Sequence, residues 1–213
     1  MRFAISRTRA RAFSLIEMLV ALAITSALLS ASLAALDTSF KSYQMTSESA
    51  STHVVTRIVM HRMLSMIRLG TEFAPFPTDV VATPQITLSG PYDPGTQTGF
   101  QLEFVSRDDA VTGDRQVTRF EMRDADPADG SGELWLILQD IPGAGGPTAT
   151  TERPLMTGVI DASVTLDYDV GPKLTQATID LIILPNDIGD DIDIALNAPT
   201  IRLVASASPR NLD

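Results

Sequence analysis

The stretch RARAFSLIEMLVALAI, residues 9–24, decides the reading of this chain. Its only charges before the apolar run are arginines, and then one carboxylate, Glu17, stands at the mouth of the run. From Met18 to Leu36 there is no charge, proline or glycine. A helix of that length spans roughly 28 Å, the thickness of a bilayer core. Arg2, Arg7, Arg9 and Arg11 hold the N-terminus in the cytoplasm by the positive-inside rule, so the chain after Asp37 is expected outside the inner membrane. A secretory signal peptide has the same layout, with Ser32, Ala34 and Ala35 as small residues near a cleavage point. The run is long for such a peptide, and the helical pattern continues past that point.

Composition narrows the classes. The 213 residues carry a net charge of −10, and without the four leader arginines 12 basic residues face 26 acidic ones. An acidic body repels nucleic acid and anionic lipid. With no cysteine there is no disulfide framework, thiolate metal site or cysteine nucleophile. No repeat stands out at solenoid periods.

Glu17 raises a physical question, because a carboxylate inside a bilayer costs on the order of 2.5–3.5 kcal/mol at mid-membrane. The macrodipole at a helix N-terminus lowers that cost, and a partner cation lowers it further. The residues FSLIEMLVALAIT resemble the N-terminus of type IV pilins and type II secretion pseudopilins. The resemblance implies that a prepilin peptidase cuts between Ala12 and Phe13, that the new Phe13 amine is methylated, and that Glu17 becomes the fifth residue of the mature chain. It also implies that Glu17 meets the charged N-terminus of a neighbouring subunit, setting register during assembly. Methylation keeps that amine's charge. The sequence departs from the family at Ala12, where glycine is usual, and slower processing is the expected consequence.

Beyond the membrane run there is no proline before Pro75, and the first glycine is Gly70. One helix is therefore expected from about 13 to 69, roughly 85 Å long. Val55, Ile58, Val59, Met63, Met66 and Ile67 form an apolar stripe expected to pack on a sheet, opposite Arg57, His61, Ser65 and Arg68. Residues 46–53, TSESASTH, are weak helix formers and allow a looser turn. GTEFAPFPTDVVATPQ ends the helix. Strands are expected at 100–105, 116–122, 133–139, 161–169, 177–184 and 200–206, joined by Asp-, Gly- and Pro-rich connectors. The predicted architecture is α+β, a long N-terminal helix packed on a mostly antiparallel sheet. The predicted organisation is a leader at 1–12, a transmembrane and assembly helix at 13–36, the periplasmic half of the helix at 37–70, and a periplasmic β-rich domain at 71–213.

The order FEMRDADPADGSGELWLI, then PLMTGVIDASVTLDYD, then two strands ending in SPRN, resembles the minor pseudopilin J family. That resemblance implies a structural subunit of a type II secretion pseudopilus tip. Its implied partners are other minor and major pseudopilins, the prepilin peptidase, the inner-membrane assembly platform and exported cargo. A minor type IV pilin, and an exported enzyme or binding protein with a signal anchor, are the alternative readings.

Little else suggests chemistry. His53 and His61 are eight residues apart, about 80° around a helix, too far for the i, i+4 geometry of a shared metal. No nucleophile elbow occurs. Asp124, Asp126 and Asp129 precede Gly130, and Asp187, Asp190, Asp191 and Asp193 cluster later; these oxygens suit calcium, but the first group lacks the spacing of an EF-hand and solvated loops are the better account of both. Trp135 is expected to face away from Leu134 and Leu136, as a core or inter-subunit anchor.

Overall fold

A computed structural model describes residues 14–126, 131–171, 173–184 and 200–210. It divides into two compact units, Met1–Ser47 and Glu48–Asp213, and the division falls inside the one long helix.

That helix, α1, runs Leu15–Leu69. Ser14 caps it: the Glu17 N–H donates to the Ser14 carbonyl (3.1 Å) and lies 3.3 Å from Ser14 Oγ. Ser14 and Glu17 have the spacing of a capping box, and Glu17 and Arg68 place acid in the first turn and base in the last, as the macrodipole favours. The stretch 46–53 is helical throughout, so the looser turn expected there is absent. Hydroxyls in this helix satisfy themselves: Thr46 Oγ1 donates to the Ser42 carbonyl and Thr56 Oγ1 to that of Thr52. The helix stops at Gly70, where an added Cβ would lie 2.5 Å from Phe104 Cδ2. The Arg68 carbonyl, which has no acceptor role left within the helix, receives the Arg210 N–H at 2.9 Å.

In the second unit, Thr56, Val59, Met60, Met63 and Ile67 of α1 are buried. Val55 and Ile58 were expected on this face and are not; both are exposed. The buried arc is rotated by about 60° from the expected one, and Thr56 and Met60 take the places assigned to Val55 and Ile58.

Eight strands follow: β1 (Thr71–Ala74), β2 (Gln85–Ser89), β3 (Gln101–Asp108), β4 (Arg115–Asp126), β5 (Ser131–Ile141), β6 (Ala149–Asp169), β7 (Lys173–Ile183) and β8 (Ile201–Ala207). The pairing is antiparallel throughout, in the order β1-β3-β4-β5-β6-β7-β8. All six predicted strands are present. β1, β2 and the first half of β6 were not expected. β6 joins two parts of the sheet: Ala149–Val159 pairs with β5, while Val159–Asp169 pairs with β7. β2 lies along β6 at Ser163–Asp167, opposite the edge that β7 occupies. One core gathers the buried face of α1 with Phe73, Phe104, Phe120, Leu134, Leu136, Val164, Ile179 and Leu181. Phe104 stands between Phe73 and Phe120 at ring distances of 5.4 and 5.9 Å.

Candidate functional site

The site with the clearest chemistry is the start of α1. Leu15, Ile16, Met18, Leu19, Val20, Leu22 and Ile24 are exposed, and the apolar window of the helix buries nothing within the chain. Water does not tolerate such a surface around a whole helix; lipid or packed helices do. The hydroxyls in it are compatible with either, because Thr25, Ser26, Ser30 and Ser32 all donate to carbonyls three or four residues back, at 2.8–3.0 Å. Glu17 differs. Its backbone N–H is engaged by Ser14, but its carboxylate accepts no hydrogen bond and forms no ion pair among the described residues. A charge at this depth therefore depends on something outside the described chain: solvent at the membrane surface, or a cation of another subunit.

Ser14 is the functional residue that sequence reasoning passed over. Its Ser-x-x-Glu spacing with Glu17 is the signal of a cap. Ala12 and Phe13, the expected cleavage and methylation positions, lie outside the described residues, as do Asp187, Asp190, Asp191 and Asp193. Asp124 sits in β4 rather than a loop. Among the described residues no three His, Cys, Asp or Glu side chains gather as metal ligands. His53 and His61 are both exposed on α1.

A second concentration of charged groups occupies the outer face of β4 and β5. Glu121 is only 2% exposed although it points away from the main core. Arg123 Nε donates to Glu121 Oε1 at 2.6 Å, and Arg123 Nη1 donates to Glu152 Oε2 at 2.8 Å. Arg119 Nε lies 3.1 Å from Glu121 Oε2, an ion-pair distance without hydrogen-bond alignment. The Arg123 guanidinium stands 4.6 Å from the Trp135 ring centre, and that of Arg119 5.5 Å from Tyr92. Trp135 does face away from Leu134 and Leu136, with its Nε1–H donating to Glu133. Arg123 holds Glu152 below the usual carboxylate range. These groups pair across three strands as a structural network, in which Arg119 Nε and Glu121 Oε2 are left without a hydrogen bond. A shallow cleft of about 360 Å³ between the β3–β4 turn and the β5–β6 loop is lined by Arg107, Arg115, Asp140 and Pro142 among others. Arg115 is already bonded to Glu72, and Asp140 to Gln116.

The family model for the prokaryotic N-terminal methylation motif matches residues 7–33. No curated protein and no solved structure matches the chain. The match covers the second half of the leader from Arg7 to Ala12, then Phe13, Ser14, Glu17 and most of the apolar run, and it places the N-terminal segment in the type IV pilin and pseudopilin class.

Proposed function

We propose that this protein is a minor pseudopilin, a structural subunit of a type II secretion pseudopilus tip that supports export across the outer membrane. In this reading the leader is cytoplasmic, α1 is held in the inner membrane until assembly, and the β-rich unit works in the periplasm. Prepilin peptidase removes residues 1–12, Phe13 is methylated, and Glu17 neutralises the amine of a neighbouring subunit as the helices pack. The chain performs no reaction. The observation that carries the reading is the methylation motif at 7–33, with a Glu17 carboxylate that has no partner among the described residues at the start of the exposed apolar stretch of α1. The late strand order FEMR…ELWLI…DASVTLDYD supports the tip role, and a β-rich part of this size exceeds what a repeating subunit needs.

Two measurements test it on the full chain in its native host. N-terminal peptide mass spectrometry should find N-methylated Phe13; a mature chain starting near Leu36 would overturn the pilin-class reading. Cross-linking of the assembled membrane complex should recover secretion pseudopilins. Recovery of pilus-tip subunits instead would move the assignment to a minor type IV pilin.

A further inference from the structure

One stretch of α1 carries charge against the trend of the chain. The net charge of the protein is −10, yet residues 49–70 hold Arg57, Arg62 and Arg68 and no acid. Thr56, Val59, Met63 and Ile67 turn toward the core, so the three arginines stand on the open side of the helix. None of the three forms an ion pair among the described residues. Val55, Ile58, Arg62, Ser65 and Leu69 follow one another at heptad spacing along that side. Ile58 is 63% and Leu69 64% exposed. Between them Arg57, Ile58, His61, Arg62 and Ser65 line an open hollow of about 470 Å³. This is a seam of the kind that packs on another helix, apolar at both ends and cationic in the middle. Cations at such positions disfavour a neutral or basic neighbour and favour an acidic one.

We propose that this seam selects, as its neighbour in the assembly, an amphipathic helix of a different polypeptide with carboxylates opposite Arg62 and Arg68. The inference rests on the reading of the chain as an assembly subunit, and it names the chemistry of the helix beside it. A heptad-matched helix places one aliphatic side chain against Ile58 and another against Leu69, with acids about seven residues apart facing the two arginines. Opposite charges beside a helical seam set partner choice and orientation. A second copy is the wrong neighbour for the same reason. Residues 53–69 set against themselves, parallel or antiparallel and in any register, bring no acid to any base. A parallel copy slid along until its Glu48 meets Arg57 sets only His53 and Val59 against Arg62 and Arg68. The arginines therefore act against self-packing as well as for an acidic partner.

The test uses the full chain in its native membrane. A benzophenone amino acid at position 58 or 65 should capture one foreign polypeptide, at sites about seven residues apart along a helix; the same probe at the exposed turn positions 111 and 170 should not. A carboxylate should lie within about one turn of those sites. Arg62→Glu should reduce capture from position 58 at least about tenfold. Its melting temperature should stay within about 1 °C of the parent, because Arg62 is exposed. Lysine in place of the partner's acid should restore capture by the Arg62→Glu chain. Capture of a second copy, links to the chain's own residues, 185–199 included, a captured segment without acids, or full capture by Arg62→Glu would each overturn the inference. No capture from 58 or 65, where other positions still recover a pilin-class neighbour, would overturn it and leave the assembly reading in place. No neighbour from any position would overturn both.

Discussion

Glu121→Ala tests whether the outer face of the sheet is held by its buried carboxylate. The substitution removes one charge-assisted hydrogen bond, from Arg123 Nε at 2.6 Å, worth about 1.5–3 kcal/mol. It also removes the contact with Arg119 at 3.1 Å, whose side chain is a quarter exposed; such a pair contributes about 0–1 kcal/mol after solvent screening. The two arginines are not stranded. Arg123 keeps Glu152 and the Trp135 ring, and Arg119 keeps Tyr92, so the larger penalty for a fully buried orphan charge does not apply. The expected loss is about 2–3 kcal/mol, or roughly 5–10 °C in melting temperature for a domain of this size. Glu121→Gln retains an acceptor and should lose about half as much. Trp135 is the only tryptophan and the cross-strand partner of Glu121, so its fluorescence reads the transition directly. A double-mutant cycle with Arg123→Ala isolates the pair. A Glu121→Ala chain that melts within about 1 °C of the parent would show that the arginines rehydrate freely and that the carboxylate is dispensable.

Glu17→Ala and Glu17→Gln should insert and accumulate in the membrane normally but be recovered in cross-linked assemblies at least about tenfold less, a difference of about 1.4 kcal/mol; normal recovery of the Ala variant would leave apolar packing as the sole register device. Ile67→Ala should cost about 2–5 kcal/mol by denaturant titration, whereas Ile58→Ala, on the exposed face of the same helix, should stay within about 0.5 kcal/mol. Asp109 accepts backbone N–H bonds from Val111 and Thr112, which hold its carboxyl below the usual range. A lowered folded value means stability that is present above the unfolded carboxylate range and lost as pH falls through the folded one; the protection of the 111–113 amides against exchange, taken relative to their intrinsic rates at each pH, should therefore fall on acidification, and Asp109→Asn should flatten that dependence.

The limits of α1 were legible because they rest on punctuation: no proline or glycine before Gly70, then a run of prolines. The phase of its outer half was not. Branched Val55 and Ile58 look more like core than Thr56 does, yet Thr56 is buried and its hydroxyl is satisfied by Thr52 at 2.7 Å. A helix with apolar residues on both its packed and its open face gives a pattern whose average points to neither. β1 and β2 are too short, and too close to prolines, to carry an alternation. The first half of β6, ATTERPL, reads as a loop because it is an edge with charge and proline. Glu121 was legible as facing outward but not as buried, since its cover arrives from Arg119 and Arg123 on its own strand and from Trp135 on the next.

Hydrogen-bonding capacity separates what the chain completes alone from what assembly must supply. The hydroxyls of the apolar helix and the Arg68 carbonyl at the end of α1 find hydrogen-bond partners within the described residues, whereas Glu121 Oε2 and Arg119 Nε face each other at 3.1 Å without hydrogen-bond alignment. The carboxylate of Glu17 and the outer edge of β8 also lack partners among the described residues. One needs a single cation, the other a row of main-chain groups. Different chemistry therefore serves each. They also belong to different compact units. Glu17→Ala should then leave the melting temperature of the β-rich unit unchanged. A Glu17→Ala chain whose β-rich unit melts more than about 1 °C from the parent would refute that separation.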